Sequence, residues 1–431
     1  MTPRTRELFG LLPASLLVTA GFAAVFVQEQ DVVSTISLTY GAVFLGLCFA
    51  AHLVIRWRLP HADPYVLPLV AVLASFGLVM IYRLDDTFAR EQAQWFVIGL
   101  AAFIATIVLV RDYRALERYR YVIAAASLGL LLLPRIPGIG SQTNGAYLGV
   151  DVGPVSFQPA EFAKIGIIIF LASYLRDTRQ LLVARKKWGI TIPPLRHLGP
   201  LLAVWGLAMI LLVFIRDLGS SLMFFGGFLA MLYVATNRLI FPVVGFGLFA
   251  AGVGFFANTV GHVQSRIDAW HHPFDTALYN AQGGSYQLAQ SLFAQADGGV
   301  FGRGFGKALV GSGDAVVVPA AKTDLIYSVI VNELGLVGAC GLLLVYLLLV
   351  ERGFRIAVLA RDSFSKLLAA GLATVIGLQV FVIVGGVTKA IPLTGVTLPF
   401  VSYGGSSIVA NFVIVALLLL ISDRARREAV Q

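Results

Sequence analysis

Long apolar runs separated by short polar joints dominate the chain from one end to the other. A helix that crosses a hydrocarbon core takes about 20 apolar residues. Twelve segments fit that requirement, centred on residues 10 to 28, 36 to 55, 66 to 82, 94 to 110, 121 to 134, 161 to 175, 198 to 215, 218 to 236, 240 to 258, 325 to 350, 366 to 388 and 405 to 421. Two of them, 121 to 134 and 161 to 175, are short for a full crossing. The pattern predicts an all-α, polytopic integral membrane protein with about twelve transmembrane helices. The first apolar stretch has no small-x-small site after it, which argues against a cleaved secretory signal.

Composition strengthens this reading. Of 431 residues, 58% are hydrophobic and 13% are charged, about half the charged share of a soluble domain. Such a chain cannot clothe itself in polar surface, so its apolar segments face lipid. Cys48 and Cys340 both lie inside apolar runs and read as small buried hydrophobes rather than a disulfide pair. The net charge of +9 would suit nucleic acid if it formed one patch. Instead most basic residues fall on the joints after even-numbered segments, among them Arg111, Arg114, Arg118, Arg120, Arg176, Arg179, Arg424, Arg426 and Arg427. The positive-inside rule makes that side cytoplasmic, together with both termini, and no nucleic-acid partner is expected.

The opposite side carries the longest connection, residues 259 to 324. Loops of that length usually have a function, and Trp270, Phe274, Tyr279, Tyr286, Phe293 and Phe301 provide apolar mass to pack it on the membrane domain. Its glycines, Gly298, Gly299, Gly302, Gly304 and Gly306, precede Lys307. A Walker loop would need Gly at 301, which is Phe, and Ser or Thr at 308, which is Ala; a dinucleotide loop would need Gly at 307. A plain turn, or a turn whose amides face a pyrophosphate, remains. His262, His271 and His272 share this connection, but adjacent histidines do not converge on one ligand position. No Gly-x-Ser-x-Gly elbow exists to support serine hydrolysis.

Ionisable groups at membrane depth are costly and so informative. Asp324 opens the tenth segment, and Glu333, nine residues further along one helix, would lie about 13 Å away on the opposite face. The two cannot form one catalytic pair. Asp324 suits a helix cap and equally a functional acid. Glu161 and Lys164, three apart, suit an ion pair and equally a ligand contact. Arg216, Asp217 and Lys389 add charge to the same rim.

Several strings occur in order from about residue 66 onward: Phe157-Gln158-Pro159-Ala160-Glu161-Phe162-Ala163-Lys164; Asp217-Leu218-Gly219-Ser220-Ser221; Arg266 with Pro273 and Asp275; Ser285-Tyr286-Gln287-Leu288-Ala289-Gln290-Ser291; Thr323-Asp324-Leu325-Ile326-Tyr327; Glu333-Leu334-Gly335; Ile391-Pro392-Leu393-Thr394-Gly395; and Leu398-Pro399-Phe400-Val401-Ser402-Tyr403-Gly404-Gly405. Together they resemble the SEDS family (shape, elongation, division and sporulation), which includes RodA and FtsW. The resemblance implies a ten-helix core in residues 61–431, with two additional N-terminal helices in 1–60. Tyr147-Leu148-Gly149-Val150 departs from the basic residue and Trp of many relatives, and Asn332 replaces an acid. Thr394, where division-type members have Lys, favours an elongation-type, RodA-like protein.

The implied activity is a peptidoglycan glycosyltransferase that polymerises lipid II at the outer face, beside a class B penicillin-binding protein that crosslinks the product. The family's catalytic aspartate falls on Asp324. Arg266 and Lys389 are candidate pyrophosphate binders, with Arg303 and Lys307 behind them; Gln287, Lys322, Glu161, Lys164 and Ser402 complete the candidate substrate-binding set. The chemistry is consistent: a sugar hydroxyl needs a base, while a pyrophosphate leaving group needs cations more than an acid, so one carboxylate suffices where a glycosidase needs two. Burial would raise the Asp324 pKa and neighbours such as Lys322 would lower it. No cofactor is implied, and an assisting divalent cation stays open. A groove for the lipid tail near Pro392, Pro399 and Gly404-Gly405, or merely a kinked helix there, fits the same residues. A flippase or transporter and a non-catalytic scaffold are the alternative functions.

Overall fold

A computed structural model describes residues 2–430, apart from 31–34, 144–145, 153–154, 185, 188–189, 192–193, 260, 282 and 308–317. Its helices are α1 Pro3–Gly10, α2 Leu12–Gln30, α3 Thr35–Arg58, α4 Val66–Leu84, α5 Asp86–Leu109, α6 Ala115–Arg118, α7 Arg120–Leu132, α8 Pro159–Ala184 and α9 Leu195–Phe214, followed by α10 Leu218–Thr236, α11 Ile240–Thr259, α12 Gly261–His271, α13 Thr276–Asn280, α14 Tyr286–Gly298, α15 Ile326–Leu359, α16 Ser363–Val387 and α17 Gly405–Val430. All twelve predicted segments are helical. Among the described residues ten helices are long and apolar enough to cross a membrane; the two remaining segments are α7, only 13 residues long, and α8, which carries charges at both ends.

The helices form an inner and an outer shell. Buried residues make up 89% of the most apolar stretch of α17, 72% of α16 and 67% of α4, but none of α11. A helix that is apolar all round and buries nothing belongs in lipid, and among the described residues α11 packs chiefly on α10 and α12. Both chain ends lie at one end of the bundle, because Arg4 donates to the Ala62 carbonyl and Arg426 bonds Asp63.

Three departures from the sequence pattern matter. The connection before α8 forms a small antiparallel sheet, β1 Gly140–Thr143, β2 Ala146–Val152 and β3 Val155–Phe157, in the order β1-β2-β3. β1 and β3 are too short to show alternation, and the run Tyr147-Leu148-Gly149-Val150 interrupts it in β2. The segment 388–404 is non-helical, yet Leu398, Phe400, Val401 and Ser402 are buried; irregular backbone survives at such depth only inside protein. It fits because Gly77 of α4 has no side chain: a Cβ there would sit 2.6 Å from the Phe400 carbonyl oxygen. Third, α15 is broken at Gly335 (φ 69°, ψ −174°). Cys48 is buried as expected, whereas Cys340 is exposed on the bundle and so faces outward instead of filling the core.

Candidate active site

Asp324 stands in a run of turns before α15 rather than on the helix itself, whose N-cap is Leu325 with no side-chain cap bond. The carboxylate is therefore not spent on capping, and the helical arithmetic that separated it from Glu333 does not apply. The two are separated by packing instead: Glu333 is buried and lies 3.3 Å from Arg83 of α4. The turn is held from two sides. Thr323 and Leu325 each donate a backbone N–H to the Ala320 carbonyl at 3.1 Å. From the segment 388–404, the Ser402 hydroxyl donates to the Thr323 carbonyl at 2.8 Å and accepts from the Leu398 N–H at 2.8 Å, while the Tyr403 N–H reaches the Lys322 carbonyl at 2.8 Å. Ser402 thus positions the turn that carries Asp324.

The same segment brings a cation to the carboxylate. Arg266 of α12 donates to the Leu393 carbonyl at 2.7 Å, and Trp270, one turn further along, donates to the Lys389 carbonyl at 3.0 Å. Gly395 (φ 75°) borders Asp324, with the place of a Cβ 3.4 Å from Oδ2. Burial pushes the Asp324 carboxyl up to about 6 against the opposing pull of Arg266 and a Thr323 hydrogen bond. The lowering charge is that of Arg266. Lys322, expected in that role, is 2.5 Å from Asp85 and 4.0 Å over the Phe88 ring.

A second carboxylate acts on the same arginine. Asp217 caps α10 by accepting the Ser220 N–H at 2.9 Å, and its Oδ2 is buried without a partner among the described residues. Burial raises its pKa, opposed by Ser220 and by the Arg266 charge. Burial lowers the Arg266 pKa, and the charges of Asp217 and Asp324 both raise it by less.

The other candidates divide by location. Glu161 and Lys164 are paired and buried in α8; Lys164 also donates to Gln379 at 2.9 Å, and Gln379 donates to the Thr397 carbonyl at 2.8 Å. They brace the active segment from below. Lys389, two residues past the end of α16, adopts φ 64° and reaches the His271 carbonyl at 3.5 Å. Gln287 is exposed on α14. The glycine loop is not an amide cradle: Arg303 and Gly304 donate to the Asn332 and Glu333 carbonyls at 2.9 and 3.0 Å, filling the break at Gly335. Arg303 pairs with Asp297, and Ala308 lies outside the described residues. Sequence reasoning missed Gln379, although a lone amide in an apolar span must find a partner. Among the described residues no three His, Cys, Asp or Glu side chains gather as a metal site.

Comparison with known proteins settles the lineage. The family model FTSW_RODA_SPOVE, described as a cell cycle protein, matches residues 63–427. The chain belongs to this family. Its FtsW/RodA/SpoVE relatives include proteins called peptidoglycan glycosyltransferase RodA in Mycobacterium leprae (strain TN), 41% identical with 99% of this chain and 91% of the relative covered, and stage V sporulation protein E of Bacillus subtilis (strain 168), 30% identical with 84% and 98% covered. Among solved structures, a chain from work on the coordination of polymerization and crosslinking by a peptidoglycan synthase complex aligns with TM-score 0.68 and 27% identity, over 85% of this chain and 98% of that one. Rod shape determining protein RodA of Thermus thermophilus aligns with TM-score 0.59 and 27% identity, over 86% and 98%.

Proposed function

We propose that this family member is a peptidoglycan glycosyltransferase that polymerises lipid II into glycan strands during cell elongation, with Asp324 as its general base. The observation that carries the catalytic assignment is a carboxylate free of capping duty, pinned in a turn, with its pKa raised by burial and opposed by the charge of the half-buried Arg266. Asp324 takes the proton of the acceptor sugar hydroxyl as that oxygen bonds to the anomeric carbon of the donor. The bond from that carbon to the pyrophosphate oxygen breaks, and the lipid pyrophosphate leaves with the electron pair. Arg266 and Lys389 lie on the rim where that negative charge develops, and fixed cations there lower the barrier.

The finer parts of the reading rest on the same frame. The basic joints support a reading in which both termini lie in the cytoplasm and Asp324 on the extracytoplasmic face. Residues 1–60 are an addition to the core, in keeping with a family match that begins at residue 63. A class B penicillin-binding protein is the partner, by analogy with the synthase complex to which the chain aligns. The decisive experiment incubates lipid II in detergent with purified chain and its partner and resolves glycan polymer on a gel. Asp324→Ala is expected to yield no polymer; polymer at the wild-type rate would remove Asp324 from the mechanism. Detergent abolishes sidedness, so polymer made there also excludes a purely transporting role.

A further inference from the structure

At the end of the bundle that carries both chain termini, a cavity of about 540 Å³ opens between the ends of α3, α5 and α17. It lies far from Asp324: from Gly405, beside the active segment, to Asp423 is 18 helical residues, or about 27 Å. The cavity falls within the size range of ligand sites. Its charged lining is four arginines, Arg58, Arg111, Arg424 and Arg427, against three carboxylates, Asp112, Asp423 and Glu428.

Those carboxylates are already committed. Asp423 bonds Arg427 at 2.5 Å and accepts the His61 N–H at 2.8 Å. Glu428 and Asp112 lie 3.0 and 3.2 Å from Arg424, and Asp112 also accepts the Arg114 N–H at 3.0 Å. Arg58 and Arg111 have no carboxylate within ion-pair distance among the described residues. The cavity therefore holds two guanidinium groups without an ion-pair partner among the described residues, and its lining carries one more cation than carboxylates. Next to them, Trp57 is 74% exposed and Leu109 76% exposed, a Trp and an apolar neighbour of the kind that mark headgroup depth.

We infer that this cavity binds a phosphate-bearing anion through Arg58 and Arg111. Planar guanidinium groups match phosphate oxygens two at a time, and a basic pocket between membrane helices at this depth suits an anionic headgroup. A lipid phosphate and a free phosphate share that chemistry, so the test separates them. Purified full-length chain in detergent is exposed to phosphatidylglycerol, to phosphatidylcholine and to inorganic pyrophosphate, and native mass spectrometry counts what is retained by wild type, by R111Q and by R58Q/R111Q.

Preferential retention of phosphatidylglycerol, weakened about fivefold for each arginine removed, identifies a lipid headgroup site. Pyrophosphate retention with the same loss, and no preference among lipids, identifies a soluble phosphate instead. Equal retention of both lipids with no pyrophosphate bound, or retention unchanged in the variants, overturns the inference. Melting curves verify the fold, and R111Q alone, at an exposed side chain, keeps the comparison valid if the double variant fails to fold.

Discussion

The role proposed for Asp324 rests on where it is held, in a turn that needs nothing from its side chain and under the charge of Arg266, which opposes the effect of its burial. With its carboxyl pushed up to about 6, the base is ionised above that pH and protonated below it. Polymerisation rate should therefore fall about tenfold per pH unit below pH 6 and level off above it, as a pH–rate profile on lipid II would record. Arg266 lowers the Asp324 pKa, so Arg266→Ala should move that limb to higher pH. The same substitution should cost about 10²–10³ in rate as the leaving group loses its cation. Arg266→Lys keeps the charge and should leave the limb nearer its wild-type place. A limb unmoved in Arg266→Ala would show that the two groups do not communicate.

At the scale of elements, the active segment 388–404 and the broken helix α15 are both built around glycine. Gly335 adopts φ 69°, and a Cβ there would stand 2.3 Å from the Gly302 nitrogen and from the Val300 carbonyl oxygen. Gly335→Ala must strain the backbone, by about 1–3 kcal/mol, and push the glycine loop away from the Asn332 and Glu333 carbonyls. A lower melting temperature and faster proteolysis within 298–307 are the expected readouts. The string Glu333-Leu334-Gly335 was legible as part of the resemblance, but its purpose was not. A 3.6-residue period carries no mark of where a neighbouring loop will replace helical hydrogen bonds, and the strands of 140–157 were hidden because β1 and β3 are only four and three residues long and Tyr147-Leu148-Gly149-Val150 in β2 does not alternate.

For the molecule as a whole, the N-terminal helices are fastened to the rest by buried charge. Glu7 is wholly buried, bonds Arg4 and lies 2.7 Å from His52, while Arg4 continues to the Ala62 carbonyl. Removing one member of such a set leaves its partners uncompensated, at a cost of about 3–5 kcal/mol. Glu7→Ala should accordingly lower the melting temperature, with glycan polymerisation falling less than in Asp324→Ala. Loss of activity without loss of stability would assign Glu7 a different role.

The linear order of residues was enough to establish a membrane protein with twelve helical segments and basic joints gathered on alternate connections, and its strings were enough to single out Asp324, Arg266 and Lys389. Hydropathy and charge are properties of composition over a stretch of chain, so they survive in one dimension. Pairing does not. That Lys322 serves Asp85, that Glu333 serves Arg83, that Gln379 joins Lys164 to the Thr397 carbonyl, and that Arg266 reaches the Leu393 carbonyl are matters of which distant residues come within about 3 Å. Electrostatic and hydrogen-bond energies fall off over that distance, and only the folded bundle sets it.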